Sequence, residues 1–142
     1  MYLSNNNSAK DHSMVERILL KMGHLYQVQD DYLDCFGDPS ITGKIGTDIE
    51  DGKCCWNIVT ALDMCSAAHK QILKQNYGKN DSECVSRVKQ IYFEIDLKNI
   101  FKEFEKNIFK EIQELIENFE RESNLTKSIF DEPLNQINKR NK

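Results

Sequence analysis

The sequence predicts an all-α protein. Only two prolines and six glycines interrupt its 142 residues, and apolar residues recur along most of the chain at the i, i+3, i+4 and i+7 spacing of a helix buried on one side. The net charge of -4 and the pI of about 5.4 provide no general attraction to polyanions. We therefore expect no nucleic-acid partner.

The first helix is predicted over residues 14–36. Ser13 and Glu16 form a capping box, and Gly37 before Asp38-Pro39 ends the helix. Residues 37–53 contain four of the six glycines and no helical period, so we expect a structured loop, which at this length is usually functional. The apolar stripe of the first helix comprises Val15, Ile18, Leu19, Met22, Leu25, Tyr26, Tyr32, Leu33 and Phe36.

Five further helices are predicted from apolar period and capping residues. The second carries Trp56, Ile58, Val59 and Leu62 inward. The third ends at Tyr77 before a glycine, the fourth ends near residue 96, and the fifth is the longest, with an apolar stripe to residue 119. These helices are expected to begin near Lys53, at Ser66, at Asp81 or Ser82, at Leu97 and at Asp131-Glu132-Pro133.

The compartment follows from the chain start and the cysteines. The first twelve residues are polar and rich in asparagine, without the basic and apolar regions of a signal peptide. No apolar run approaches the ~20 residues of a membrane span. Five cysteines, two of them adjacent, cannot form a complete set of disulfides within the chain. We expect a cytoplasmic protein with reduced thiols and no membrane span.

The candidate chemistry begins at the end of the first helix. Asp30, Asp31 and Asp34 stand at i, i+1 and i+4, and Gln27 lies about one turn earlier on the same face. Three carboxylates so close repel one another unless a cation joins them, and Mg²⁺ prefers oxygen ligands. The pattern therefore predicts a magnesium site, although a solvated acidic patch explains the aspartates alone equally well.

The following loop adds positive charge to this acidic face. Lys44, Asp48 and Lys53 follow in order, and Gly43 and Gly46 allow the backbone to approach a ligand closely. Two lysines beside an acidic metal cluster suit a diphosphate, whose oxygens bridge metal and ammonium groups. Taken singly, each lysine also fits an ordinary surface position.

Three segments carry a resemblance to a known family. LYQVQDDYLDCFGDP over residues 25–39, TGKIGTDI over 42–49 and DGKCCW over 51–56 closely resemble the farnesyl diphosphate synthases, of the isoprenyl diphosphate synthase family, around their second aspartate-rich motif. The resemblance implies the C-terminal helices of the isoprenoid synthase helical bundle. It also implies a prenyltransferase that is usually a homodimer and that condenses an allylic diphosphate with isopentenyl diphosphate on Mg²⁺.

The same resemblance assigns roles residue by residue. Asp30 matches the principal metal ligand, and Asp31 and Asp34 match its companion ligands. Asp48 matches a carboxylate that helps to organise the same metal. Lys44 and Lys53 match two lysines that contact the diphosphate, and Gln27 matches a polar residue of the pocket. The basic end, with Arg140 and Lys142, resembles the family's tail over the substrate.

The first aspartate-rich motif of the family has no counterpart here. We therefore expect residues 1–142 to be the C-terminal portion of a synthase domain, with the N-terminal portion absent and no turnover by the chain alone. Two alternatives remain at this point: a non-catalytic helical interaction module, and a fragment of a terpene-synthase-like relative.

Overall fold

The computed structural model describes residues 9–123 and 127–139, which are helical with connecting turns and contain no β-strand. This confirms the all-α class. The elements are α1 (Ala9–Phe36), α2 (Pro39–Thr42), α3 (Trp56–Met64), α4 (Ala67–Asn76), α5 (Ser82–Glu94), α6 (Leu97–Glu122), a 3₁₀ turn (Lys127–Phe130) and α7 (Asp131–Lys139).

Three capping predictions are confirmed. The side chain of Ser66 accepts a hydrogen bond from His69 N–H at the start of α4, and Asp81 accepts one from Cys84 N–H at the start of α5. Gly78 follows α4 with a φ of +76°, a left-handed conformation that favours glycine. Local side-chain chemistry therefore determines where these helices begin and end.

The start of α1 was predicted too late. The helix already includes Ala9, so Ser13 and Glu16 lie within it and do not cap its start. The added turn is held by its own contacts, because Lys10 Nζ lies 2.7 Å from a carboxylate oxygen of Glu122 on α6. With 28 residues α1 is also longer than α6, with 26, contrary to the expectation for the fifth helix.

The loop over residues 37–53 contains one unpredicted element. Asp38 caps the four-residue helix α2 by accepting a hydrogen bond from Ser40 N–H at 2.8 Å, and Gly43 ends it at a φ of +72°. The next helix begins at Trp56, three residues after the expected start. Residues 53–55 form a short turn instead of the first turn of the helix, because Cys55 N–H donates to the Lys53 carbonyl at 2.9 Å.

The described residues form two compact units, each with its own apolar core. The first unit takes its residues from 1–27 and 104–142, and the second covers 28–103. The core of the first unit consists of Val15, Ile18, Met22, Leu25, Ile112, Ile116, Phe119, Phe130 and Ile137. The core of the second consists of Ile49, Cys55, Ile58, Ala61, Cys65, Leu73, Val88, Ile91, Tyr92 and Leu97.

Several residues of the predicted stripes are exposed instead. On α3 the buried side is defined by Asn57, Ile58 and Ala61, which leaves Val59 46% and Leu62 38% exposed. Each follows a buried residue by one position, which turns it about 100° away from the core. For the same reason Leu19 and Tyr26 of α1 are about half exposed.

Within the described residues, no helix is both long enough and apolar enough to cross a membrane. All five cysteines are free thiols. Burial raises the pKa of Cys35 to about 11, so this thiol is held in its neutral form.

Leu25 and Leu20 of α1 provide a matched test of the first unit's core. Leu25 is completely buried, whereas Leu20 is 68% exposed. Leu25→Ala is expected to lower the free energy of unfolding by about 2–5 kcal/mol because it leaves a cavity. Leu20→Ala is expected to change it by less than about 0.5 kcal/mol. Urea unfolding followed by circular dichroism measures both, and equal losses would contradict the assigned core.

Candidate functional site

Asp31 links the end of α1 to the start of α3. Its side chain is only 8% exposed, and one carboxylate oxygen accepts a hydrogen bond from the backbone N–H of Trp56 at 2.8 Å. The other accepts from Lys53 Nζ at 3.0 Å. The N-terminus of a helix favours negative charge, so Asp31 supplies the capping oxygen that Cys55, at the N-cap position, does not supply.

Asn57 strengthens the same link. Its amide nitrogen donates to the main-chain carbonyl of Asp31 at 2.7 Å, and the residue is 2% exposed. Residues of α3 therefore form hydrogen bonds with both the carboxylate and the backbone carbonyl of Asp31. Sequence reasoning missed Asn57; the available signal was a polar residue between Trp56 and Ile58 in an otherwise apolar segment.

Asp30 faces a different environment although it is the adjacent residue. Its carboxylate lies 3.6 Å from Lys44 Nζ, and the two side chains are 34% and 54% exposed. An exposed ion pair of this kind contributes about 0–1 kcal/mol. Breaking this ion pair in favour of a ligand therefore costs little stability.

Asp34 and Gly46 hold the loop against α1. The Asp34 carboxylate accepts a hydrogen bond from the backbone N–H of Asp48 at 3.0 Å. A Cβ at Gly46 would overlap the carbonyl oxygen of Asp34. Glycine at position 46 is thus needed for close backbone approach to α1, whereas the sequence reading expected that approach to be toward a ligand.

Lys53 joins two carboxylates. Its Nζ lies 3.0 Å from Asp31 and 2.9 Å from Asp48, while the side chain keeps 42% of its surface exposed. The hydrogen bond to Asp48 and then that to Asp31 raise the pKa of Lys53 well above 10.5, although partial burial opposes the rise. Burial raises the pKa of Asp48, and the hydrogen bond from Lys53 offsets part of that rise.

The carboxylates of this site do not form a complete set of ligands for the expected magnesium ion. Among residues 9–123 and 127–139, no three His, Cys, Asp or Glu side chains are arranged to hold a metal together. Asp31 commits both oxygens to protein donors, and Asp34 commits one. Asp30 pairs with Lys44 and keeps 34% of its side chain exposed, so a cation bound there would keep most of its water.

Three further residues were predicted for the site: Gln27, Arg140 and Lys142. Gln27 is exposed on α1, three residues before Asp30, and is the last residue of the first compact unit. Arg140 and Lys142 fall outside the described residues. Their expected roles remain predictions.

The chain matches the family model described as polyprenyl synthetase over residues 1–95. It is 46% identical to the farnesyl pyrophosphate synthase of Rattus norvegicus over all 142 residues, which cover 40% of that relative. It is 44% identical to the farnesyl pyrophosphate synthase of Schizosaccharomyces pombe, again over the whole chain and 41% of the relative. The chain thus spans about two fifths of the length of these relatives.

Solved structures agree with the sequence comparisons. The T. brucei farnesyl pyrophosphate synthase superposes with a TM-score of 0.84 at 36% identity, covering 89% of this chain and 39% of that one. A T. brucei farnesyl diphosphate synthase complexed with a bisphosphonate gives 0.86 at 37% identity, with 92% and 45% covered. The all-α fold is therefore that of these synthases, and with two thirds of its length matched by the family model the chain belongs to the polyprenyl synthetase family.

Proposed function

We propose that this chain forms the diphosphate- and Mg²⁺-binding wall of a prenyltransferase that joins an allylic diphosphate to isopentenyl diphosphate, as in farnesyl diphosphate synthesis. The observation that carries the proposal is the placement of two lysines among four carboxylates: Lys44 on Asp30, and Lys53 on Asp31 and Asp48. Asp34 holds the backbone of Asp48. Carboxylates outnumber ammonium groups in this cluster, which favours a ligand that brings its own cation.

The two lysines differ in how they would meet a diphosphate. Lys53 is oriented by two carboxylates yet keeps an exposed ammonium face, so it is already ordered before a ligand arrives. Lys44 must leave an exposed ion pair, which costs little. Together they stabilise negative charge on a departing diphosphate, which is the demanding part of an allylic ionisation.

Asp30 is the carboxylate in this cluster best suited to Mg²⁺, with Asp34 of α1 and Asp48 of the following loop as further contributors. Bound Mg²⁺ would supply further positive charge against the diphosphate. Asp31 is better suited to positioning, since both of its oxygens already accept hydrogen bonds from the protein. The bisphosphonate named with the T. brucei relative carries two linked phosphonate groups, and a diphosphate presents similar oxygens.

The proposed function also includes a cellular location, an oligomeric state and further substrate contacts. In line with the family, we place the complete enzyme in the cytoplasm as a homodimer and treat residues 1–142 as the C-terminal portion of its synthase domain. Three residues outside the cluster of aspartates and lysines are proposed to contact substrate as well: Gln27, Arg140 and Lys142. Cell fractionation tests the cytoplasmic location, and light scattering tests the homodimer.

A second candidate is a helical module that binds a partner protein. Val59 and Leu62 lie three residues apart on α3, so they share a face, and they are 46% and 38% exposed. Apolar side chains grouped on a surface mark interaction sites. A melting temperature that depends on protein concentration, but not on pyrophosphate, favours this candidate. The terpene-synthase-like alternative is not favoured, because the relatives matched above are named farnesyl pyrophosphate synthases.

Binding of pyrophosphate with Mg²⁺ tests the proposal directly. Wild-type protein is expected to melt at a higher temperature with both ligands present. Lys53→Met is expected to weaken pyrophosphate binding about tenfold or more, since a charge-assisted contact is lost. Asp30→Asn is expected to remove the gain in affinity that Mg²⁺ gives. Thermal melting and titration calorimetry measure these effects.

Exposed residues of the second unit serve as controls for these variants. Lys70 on α4 and Asp63 on α3 are both exposed, and Lys70→Met and Asp63→Asn make the same chemical changes away from the cluster. Both controls should bind as wild type does. Absence of any pyrophosphate effect in the wild type would overturn the proposed function.

The chain alone is expected not to form farnesyl diphosphate. Mg²⁺ held by one carboxylate face stays largely hydrated, and ionisation of the allylic substrate needs more positive charge than that. Incubation with dimethylallyl and isopentenyl diphosphates and Mg²⁺, followed by product extraction, measures this. Product above the enzyme-free blank would contradict the expectation.

The raised pKa of Lys53 predicts a pH dependence of stability. A base whose folded-state pKa exceeds its ordinary 10.5 stabilises the fold fully below that pH and loses this contribution as the pH rises through the folded value. Wild type should therefore exceed Lys53→Met in unfolding free energy by about 1–2 kcal/mol at neutral pH. This difference should persist to about pH 10 and shrink above it. A difference that vanishes below about pH 9 would show that Asp31 and Asp48 do not hold the ammonium.

A further inference from the structure

The corner that follows α4 lies against the turn that precedes Lys53. Tyr77 is the C-cap residue of α4, and Gly78 follows it in a left-handed conformation with φ +76°. The turn over residues 47–53 carries Asp48 and Lys53 of the proposed diphosphate site. Both segments lie in the second compact unit.

Three contacts join the corner to this turn. The Tyr77 hydroxyl donates to the Lys53 carbonyl at 2.7 Å, and Gly78 N–H donates to the Ile49 carbonyl at 2.9 Å. Between them, Gly52 and Gly78 pack backbone to backbone, because a Cβ on Gly52 would stand 3.2 Å from the Cα of Gly78. The corner thus contacts the middle and the end of the turn.

These contacts fix the main chain from which the Lys53 side chain starts. The Lys53 carbonyl accepts from both Tyr77 and Cys55, and Lys53 N–H donates to the Asp48 carbonyl at 3.0 Å. The backbone of Lys53 is therefore bonded on both of its polar groups. Its ammonium then spans Asp31 and Asp48 from an anchored Cα.

The hydroxyl of Tyr77 is well suited to this task. It is partly buried, with Cys55 Sγ 3.6 Å away. Burial, and then Cys55, raises the pKa of Tyr77 far above its usual range, so the hydroxyl remains a donor at any working pH. A phenolic donor on a rigid ring transmits the position of α4 to Lys53 with few rotatable bonds.

We propose that Tyr77 is a positioning residue for diphosphate binding, which it serves by holding the Lys53 main chain so that the ammonium group is presented to the ligand. The inference rests on the proposed function of Lys53. It assigns to Tyr77 no contact with the ligand itself. Loss of the hydroxyl should therefore act only through Lys53.

A double-mutant cycle on Mg²⁺–pyrophosphate binding tests this. Tyr77→Phe keeps the ring and removes only the donor, and should weaken pyrophosphate binding about three- to tenfold, the effect of one hydrogen bond. In a Lys53→Met background the same change should have no further effect. In a Lys44→Met background it should have its full effect, because Lys44 does not depend on the corner.

Tyr26→Phe is the control for the loss of a tyrosine hydroxyl. Tyr26 lies on α1 in the first compact unit and is 47% exposed, so this variant should bind pyrophosphate as wild type does. Where Lys53→Met leaves too little binding to measure, the comparison of Tyr77→Phe with Tyr26→Phe decides alone. A merely structural role for Tyr77 would lower the melting temperature and leave the affinity unchanged.

The outcomes separate the two proposals. Wild-type affinity in Tyr77→Phe, or equal weakening in the Lys53→Met background, overturns the role of Tyr77 and leaves the proposed function standing if Lys53→Met itself weakens binding. No binding of Mg²⁺–pyrophosphate by wild type overturns both. Weakening by Tyr77→Phe that disappears with Lys53→Met supports the inference.

Discussion

The buried carboxylate of Asp31 is the group on which the geometry of the candidate site depends. A charge removed from water costs several kcal/mol unless it is paired and hydrogen-bonded, and Asp31 meets this demand with Lys53 Nζ and the N-terminus of α3. Movement of Lys53 away from this position removes a charged hydrogen-bond donor from Asp31. The orientation of Lys53 is therefore maintained by the folding energetics of the chain, whether or not a ligand is present.

Two adjacent aspartates thus have opposite properties. Successive residues of a helix point about 100° apart, so Asp31 faces α3 while Asp30 faces Lys44 and solvent. The buried pair is fixed and the exposed pair is exchangeable. A site that must order its groups before binding, and still admit a charged ligand, benefits from having one pair of each kind.

Local patterns predicted the helices well and their contacts poorly. Ser66, Asp81 and Gly78 lie where the capping rules placed them, because a cap is decided by the few residues around it. The aspartates and lysines were identified as one group from their spacing and family resemblance. Which aspartate is buried depends on α3, 25 residues further along the chain, and no local pattern reports that. Likewise Val59 was placed inward by its apolar character, whereas the buried side of α3 is decided by what packs against it.

The difference in exposure between the two lysine pairs makes the site sensitive to ionic strength in an uneven way. At physiological salt, charges in water are screened over about 8 Å, while pairs with a buried partner are screened far less. The Lys44–Asp30 pair stands in solvent, but Lys53 rests on a carboxylate that is only 8% exposed. In the proposed diphosphate site, rising salt would therefore weaken the Lys44–Asp30 pair before it weakens the contact between Lys53 and Asp31. Lys53 would then keep its orientation at ionic strengths at which Lys44 no longer stays paired.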